Sequence, residues 1–190
     1  MNEEMLLVVR AAEFAARVHA RHRRKDVDET PYVNHLAHVA RLLAEAGCDA
    51  NVVAAGFLHD TIEDVKVSYE TLVAEFGEDI ADLVRAVTDD KSQRWQKRKQ
   101  AQIDHAPEAT PRVASLKLAD KISNLYSLRD TPPHGWDKAE IAKYIDWAHR
   151  VVSRLPAPNA VLLADYQAIR AKLLGRIGGS QWESKQPHPL

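Results

Sequence analysis

Apolar residues recur at every third or fourth position along most of this 190-residue sequence. That spacing places them on one face of an α-helix, whereas a half-buried strand would require alternation. The only strand-like alternation, Val65, Val67 and Tyr69, is too short to support a strand. Glycines and prolines interrupt the helical stretches, and Ser68 is placed to cap a helix that ends near Gly77. The sequence therefore predicts an all-α fold, a single-domain bundle of about eight to nine helices without a sheet.

The chain length suits one domain, which we expect to span residues 1–175. Residues 176–190 are rich in glycine and proline and are expected to form a mobile C-terminal tail. A single cysteine, Cys48, excludes an internal disulfide and is typical of a reducing compartment. Acidic residues at Glu3 and Glu4 are unlike a signal peptide, and no apolar run is long enough to span a membrane. We therefore expect a cytoplasmic protein without a membrane partner.

The charge of the chain is balanced overall but uneven along the sequence. The net charge of −1 argues against a nucleic-acid partner, since dedicated nucleic-acid binders are usually strongly basic. Basic residues concentrate at 17–25 and 91–99, and acidic residues at 60–64 and 89–90. A site that binds both a cation and a phosphate needs both kinds of patch. The second basic block fits either a solvated helix face or a surface that attracts phosphate.

The segment from His59 to Asp64 carries the strongest chemical signal. On a continuous helix Glu63 would lie at i+4 from His59, and Asp64 at i+4 from Asp60, so that each pair shares a face. Crowded carboxylates repel one another unless a cation lies among them or protons are retained. Taken alone, the segment is equally consistent with an exposed acidic helix end that carries an incidental histidine.

Two other segments favour a metal site. His35 lies at the predicted start of the second helix, and Asp120 lies in an apolar, helix-prone stretch where a carboxylate needs a partner. Asn124 follows Asp120 at i+4, on the same face. Imidazoles and carboxylates without a thiolate suit manganese, iron, cobalt, nickel or zinc better than calcium. Spacing alone does not show that these residues meet. We interpret His38 as helix surface or as a support for another ligand.

Together these residues resemble the HD superfamily of metal-dependent phosphohydrolases, whose pattern is a lone histidine, an adjacent His-Asp pair and a distant aspartate. The sequence is most similar to the hydrolase domain of the RelA/SpoT family, and within it to the small stand-alone alarmone hydrolases of the Mesh1 type. The similarity extends roughly from Ala11 to Trp147. It rests on five blocks in order, at residues 24–26, 30–35, 59–64, 87–91 and 118–125.

The resemblance implies an HD-domain fold and a specific reaction. Such enzymes remove the 3′-pyrophosphate of guanosine tetraphosphate or pentaphosphate, (p)ppGpp, to give GDP or GTP and pyrophosphate, and they use one Mn²⁺ ion per chain. The implied metal ligands are His35, His59, Asp60 and Asp120. The implied catalytic residues, which position and activate the attacking water, are Glu63 and Asp64. The implied substrate-binding residues are Arg24 and Lys25 for phosphate or base, and Tyr32, Asn124 and Ser127 along the nucleotide pocket.

Two alternative functions remain open at this point. The chain could be an HD-type nucleotidase or phosphatase that acts on another nucleotide, because HD proteins also cleave other phosphate esters. It could also be a catalytically silent nucleotide sensor, although the intact ligand set and the Glu63-Asp64 pair argue against a silent protein. The sequence gives no indication of oligomeric state, so a homo-oligomer also remains open.

Overall fold

The computed structural model describes residues 2–179, and this part of the chain is helical without a strand. Two isolated bridges, Arg23 with Pro31 and Asp26 with Pro133, are its only β-type pairings. The prediction of an all-α fold is confirmed. The ten α-helices found here exceed the expected eight or nine, and one of them is only five residues long. In chain order the helices are α1 (Glu3–Val18), α2 (Val33–Glu45), α3 (Ala50–Leu58), α4 (Thr61–Val65), α5 (Tyr69–Phe76), α6 (Glu78–Val87), α7 (Trp95–His105), α8 (Pro111–Asp130), α9 (Lys138–Val152) and α10 (Ala160–Gly178), with a one-turn 3-10 helix at Ala106–Glu108.

Side-chain caps fix where several helices begin. The Asp49 carboxylate accepts hydrogen bonds from the first backbone N–H groups of α3, and Ser68 caps α5 as expected. Asp137 and Glu140 form a reciprocal capping box at the start of α9. The left-handed backbone at Gly77 (φ 85°) ends α5 and leads directly into α6. Local sequence signals therefore set most of the helix boundaries.

The core lies between α2, α3 and α8, with α1 packed on α3 and α10 packed on α8. Gly56 permits the close approach of α3 to α2. A Cβ atom at this position would lie 2.8 Å from Leu43 Cδ1 and 3.0 Å from Ala40 Cα. With α2 and α3 packed in this way, the first turn of α2, which contains His35, lies near the C-terminal end of α3, which is followed by His59.

The C-terminal prediction concerns a segment that the structure describes only in part. Helix α10 continues to Gly178, so residues 176–178 form its last turn and do not belong to a tail. The rest of the expected tail, from residue 180 onward, lies outside the described residues. None of the described helices combines the length and the apolar character needed to cross a membrane.

Candidate functional site

Three helices bring together two imidazoles and a carboxylate. His35 lies in the first turn of α2, His59 follows the end of α3, and Asp120 lies in the middle of α8. One ligand atom from each lies within 4.8 Å of the others. His35 Nε2 is 3.3 Å from Asp120 Oδ1, and His59 Nε2 is 3.9 Å from the same oxygen. The structure thus brings together three of the four residues predicted to bind the metal.

Hydrogen bonds fix the orientation of both imidazoles. His59 Nδ1 lies 2.9 Å from the Gly56 carbonyl oxygen, and His35 Nδ1 lies 2.9 Å from Ser123 Oγ. When each Nδ1 carries the proton, each Nε2 presents its lone pair to the carboxylates. His59 Nε2 is buried and faces Asp60 Oδ2 at a distance of 3.0 Å. Buried imidazole nitrogens that face carboxylate oxygens fit a divalent metal ion.

Asp60, the fourth predicted ligand, lies beside this group of three. Its Oδ2 atom is 3.0 Å from His59 Nε2 and 3.8 Å from His35 Nε2. The same oxygen accepts a 2.7 Å hydrogen bond from the Tyr32 hydroxyl. Tyr32 is held in turn by stacking on His22, with ring centroids 3.8 Å apart. Tyr32, predicted to line the nucleotide pocket, therefore also positions Asp60.

The electrostatics of the site favour a bound cation. Burial alone would lower the pKa of His59, but the charges of Asp60 and Asp120 outweigh it and raise this pKa to about 9. Burial of Asp60 would raise its pKa, but the neighbouring His59 holds it below its ordinary value. The pKa of Asp120 is also depressed despite burial, chiefly by the charge of Lys121. The negative charge that retains a proton on His59 would equally attract a metal ion, which would displace that proton.

The helix breaks between the histidine and the two acids that follow. Because α3 ends at Leu58 and α4 begins at Thr61, His59 and Asp60 form a turn. The continuous helix assumed for the i, i+4 pairs is therefore wrong. At this turn the His59 imidazole contacts the Gly56 carbonyl oxygen, and α4 begins two residues later.

Glu63 and Asp64, the predicted catalytic pair, lie in the same cleft as the metal group, and Lys91 lies within ion-pair distance of both carboxylates. Glu63 Oε2 accepts a 3.1 Å hydrogen bond from the backbone N–H of Asp89, and Glu63 Oε1 is 3.5 Å from Arg98 Nη1. Asp64 forms an ion pair with Lys91. Burial raises the pKa of Glu63, which makes its carboxylate a better proton acceptor.

The predicted substrate-binding residues line the cleft around Asp120. Arg24 Nη2 donates a 3.1 Å hydrogen bond to Asn124 Oδ1, and Asn124 Nδ2 donates a 2.7 Å bond to Asp120 Oδ1. The expected shared face of Asp120 and Asn124 is therefore present. Ser127 Oγ donates to the carbonyl oxygen one helical turn earlier, and Lys25 is exposed at the rim of the cleft. Arg24 is thus linked to the metal group through Asn124.

The cleft has a volume of about 570 Å³ and contains several residues that sequence reasoning missed. These are Lys117, Lys121 and Trp147. Ser123, which sequence reasoning also missed, supports His35 from outside the cleft lining. The second basic block is divided, since Lys91, Arg98 and Lys99 line the cleft whereas Lys97 is exposed outside it. The sequence did contain a signal for Lys117 and Lys121, because two lysines four residues apart on one helix flank Asp120 and share a face. His38, as expected, contacts Ser123 Oγ and lies outside the group of metal-ligating atoms.

Comparison with known proteins gives consistent matches. The family model described as "HD domain" matches residues 11–147. The guanosine-3′,5′-bis(diphosphate) 3′-pyrophosphohydrolase MESH1 of Xenopus tropicalis is 40% identical over 164 residues, which cover 85% of this chain and 92% of that protein. The human MESH1 protein is 42% identical over 164 residues, with the same coverage of both chains. A solved structure described as "A metazoan ortholog of SpoT hydrolyzes ppGpp and plays a role in starvation responses" matches with a TM-score of 0.83 and 40% identity, covering 87% of this chain and 94% of that one.

Proposed function

Because this chain belongs to the HD-domain family, we propose that it is a metal-dependent (p)ppGpp 3′-pyrophosphohydrolase, which converts these nucleotides to GDP or GTP and pyrophosphate. The relatives that carry this activity in their names align with most of the chain at about two-fifths identity. The observation that carries the proposal is the buried His59 Nε2, which faces the Asp60 and Asp120 carboxylates inside a cleft large enough for a nucleotide.

We assign the metal site to His35, His59, Asp60 and Asp120, with one Mn²⁺ ion per chain. Two imidazole nitrogens and two carboxylate oxygens without a thiolate suit manganese among several transition metals, and the family resemblance favours manganese. When bound, such an ion lowers the pKa of its water and neutralises charge that develops on phosphate. Asp60 supports the assignment because its Oδ2 already lies within 4 Å of both imidazole Nε2 atoms.

The remaining roles follow from the partners of each side chain. Glu63, whose pKa is raised by burial, is positioned by the Asp89 N–H group and Arg98 to accept a proton from the attacking water. Asp64, held by Lys91, orients that water beside Glu63. Arg24 offers a planar guanidinium to phosphate oxygens, and Lys25 adds a compact charge at the rim.

We assign Tyr32, Asn124 and Ser127 to the wall of the nucleotide pocket, where all three line the cleft. We also propose that the protein acts in the cytoplasm on a free nucleotide rather than on nucleic acid. The single Cys48 and the net charge of −1 support this environment and this class of partner.

The proposal is tested by comparing nucleotides at equal concentration and by removing one ligand. The wild-type protein should prefer guanosine tetraphosphate or pentaphosphate to deoxynucleotides and other phosphate esters. Asp60→Ala should reduce turnover roughly 100-fold or more and weaken metal binding, because it removes a charged metal ligand. Asp28→Ala removes the same charge from an exposed loop outside the cleft and should be silent. Full activity of Asp60→Ala, or a clear preference for a deoxynucleotide monophosphate, would contradict the proposal.

A further inference from the structure

Two lysines lie over one tryptophan at the side of the cleft formed by α7, α8 and α9, and a third lysine lines the same cleft. Lys99 Nζ lies 3.6 Å from the centroid of the Trp147 indole, and Lys121 Nζ lies 4.8 Å from it. Lys117 precedes Lys121 by one helical turn and lines the same cleft. Lys121 also forms a 2.8 Å ion pair with Asp120 Oδ2. The lysine cluster, Lys99, Lys117 and Lys121, is thus attached directly to a residue of the candidate metal site.

Two members of the lysine cluster lack an ion-pair partner among the described residues. Within residues 2–179, neither the Lys99 nor the Lys117 ammonium forms an ion pair with a carboxylate. Both side chains are partly buried. Burial, reinforced by the charge of Lys121, lowers the pKa of each to about 8. Ammonium groups that are desolvated and repel a neighbouring cation are unfavourable unless an anion joins them, and the indole face offsets this only in part.

We propose that Lys99 and Lys117 bind the terminal phosphate of the 3′-diphosphate, so that the site selects a diphosphate leaving group over a monophosphate. This inference rests on the proposed function. The ion pair between Lys121 and Asp120 places the lysine cluster beside the metal group. If the 3′-phosphate attached to the ribose lies at the metal group, the terminal phosphate of the 3′-diphosphate lies next to these lysines. The 5′-diphosphate is separated from that position by the nucleoside.

The test compares a double variant with a matched control. Lys99→Met/Lys117→Met removes both ammonium groups and keeps the side-chain length. Lys97→Met/Lys172→Met makes the same change of charge at two exposed lysines outside the cleft. Circular dichroism and thermal melting verify that both proteins fold. The substrates are guanosine 5′-diphosphate with either a diphosphate or a monophosphate at the 3′ position, and guanosine 5′-triphosphate with a 3′-diphosphate.

The double variant should lose kcat/KM for both 3′-diphosphates by roughly 100-fold, a tenfold loss for each charge-assisted hydrogen bond. Its kcat/KM for the 3′-monophosphate should change by less than about 3-fold. Calorimetry should show that inorganic pyrophosphate binds the double variant at least about 10-fold more weakly than wild type, while orthophosphate binding changes little. The control variant should match wild type in every assay.

Two results would overturn the inference. An equal loss for the 3′-diphosphate and the 3′-monophosphate would show that the lysines do not recognise the terminal phosphate. A loss that depends on the number of 5′-phosphates would place the 5′ group at the lysine cluster. If the wild-type protein cleaves none of these nucleotides, the proposed function fails, and the pyrophosphate calorimetry still decides the role of the lysines independently.

Discussion

Replacement of Ser123 by alanine tests how the metal site is held in place. Ser123 Oγ lies 2.9 Å from His35 Nδ1 and 3.0 Å from His38 Nδ1. A hydroxyl can accept from the first ring and donate to the second, which fixes His35 in the tautomer that frees its Nε2 atom. In Ser123→Ala the His35 Nδ1–H group would remain buried without this partner.

The expected size of the effect follows from that lost bond. An unsatisfied buried donor costs about 1–3 kcal/mol. The loss of a residue that orients a metal ligand weakens metal binding by roughly 10- to 100-fold, which corresponds to about 1.4–2.7 kcal/mol. The two ranges overlap because both describe the same misorientation of His35, whose side chain is only 2% exposed.

The measurement is a calorimetric titration of metal-stripped protein with Mn²⁺. Ser115→Ala is the matched control, since Ser115 Oγ bonds the Pro111 carbonyl on the same helix, away from the imidazoles. We expect Ser123→Ala to bind the ion roughly 10- to 100-fold more weakly and to recover activity at saturating metal. Unchanged affinity in folded Ser123→Ala, or an equal loss in Ser115→Ala, would refute the role of this hydroxyl.

Three further predictions concern packing, acid stability and pH dependence. Gly56→Ala should lower the melting temperature by a few degrees, because overpacking costs about 1–3 kcal/mol and the gain in helix propensity is only about 1 kcal/mol. Gly175→Ala, which has open space around it, should raise the melting temperature. Equal shifts in both variants would contradict the close approach of α2 and α3. Burial lowers the pKa of His19 to about 4, so its contribution to stability is present above pH 6.5 and is lost as the pH falls toward 4. Denaturant unfolding should show that His19→Phe removes roughly 2 kcal/mol of the loss between pH 7 and pH 5, and an unchanged loss would show that His19 titrates normally. Lys99 and Lys117 have pKa values of about 8, so the KM for substrate should rise above pH 8 as their ammonium groups lose protons. This rise should be absent in Lys99→Met/Lys117→Met. A rise of the same size in both proteins would assign it to another group.

Helical periodicity and motif order were sufficient to predict the fold class and the core of the site. His35, His59 and Asp120 lie far apart in the sequence, yet the family pattern predicted that they meet, and the structure places them within 4.8 Å. The i+4 relation of Asp120 and Asn124 was also confirmed, because both residues belong to one uninterrupted helix. Regular local geometry transfers directly from sequence to structure.

The features that sequence reasoning missed depend on tertiary contacts or on a local break. Lys99 and Trp147 meet only because α7 packs against α9, and no periodic pattern records such a pairing. The turn at His59 and Asp60 interrupts a stretch whose composition suits a continuous helix. Ser123 is one of three serines in α8, and its importance becomes visible only when His35 lies beside it.

Product analysis of guanosine tetraphosphate hydrolysis tests the central claim most directly. The purified protein is stripped of metal and assayed with and without added Mn²⁺, and nucleotide and phosphate products are identified separately. We expect GDP and pyrophosphate in equal amounts, formed only when the metal is present. Absence of products from folded, metal-loaded protein, or release of orthophosphate without pyrophosphate, would contradict the assignment of this chain as a 3′-pyrophosphohydrolase.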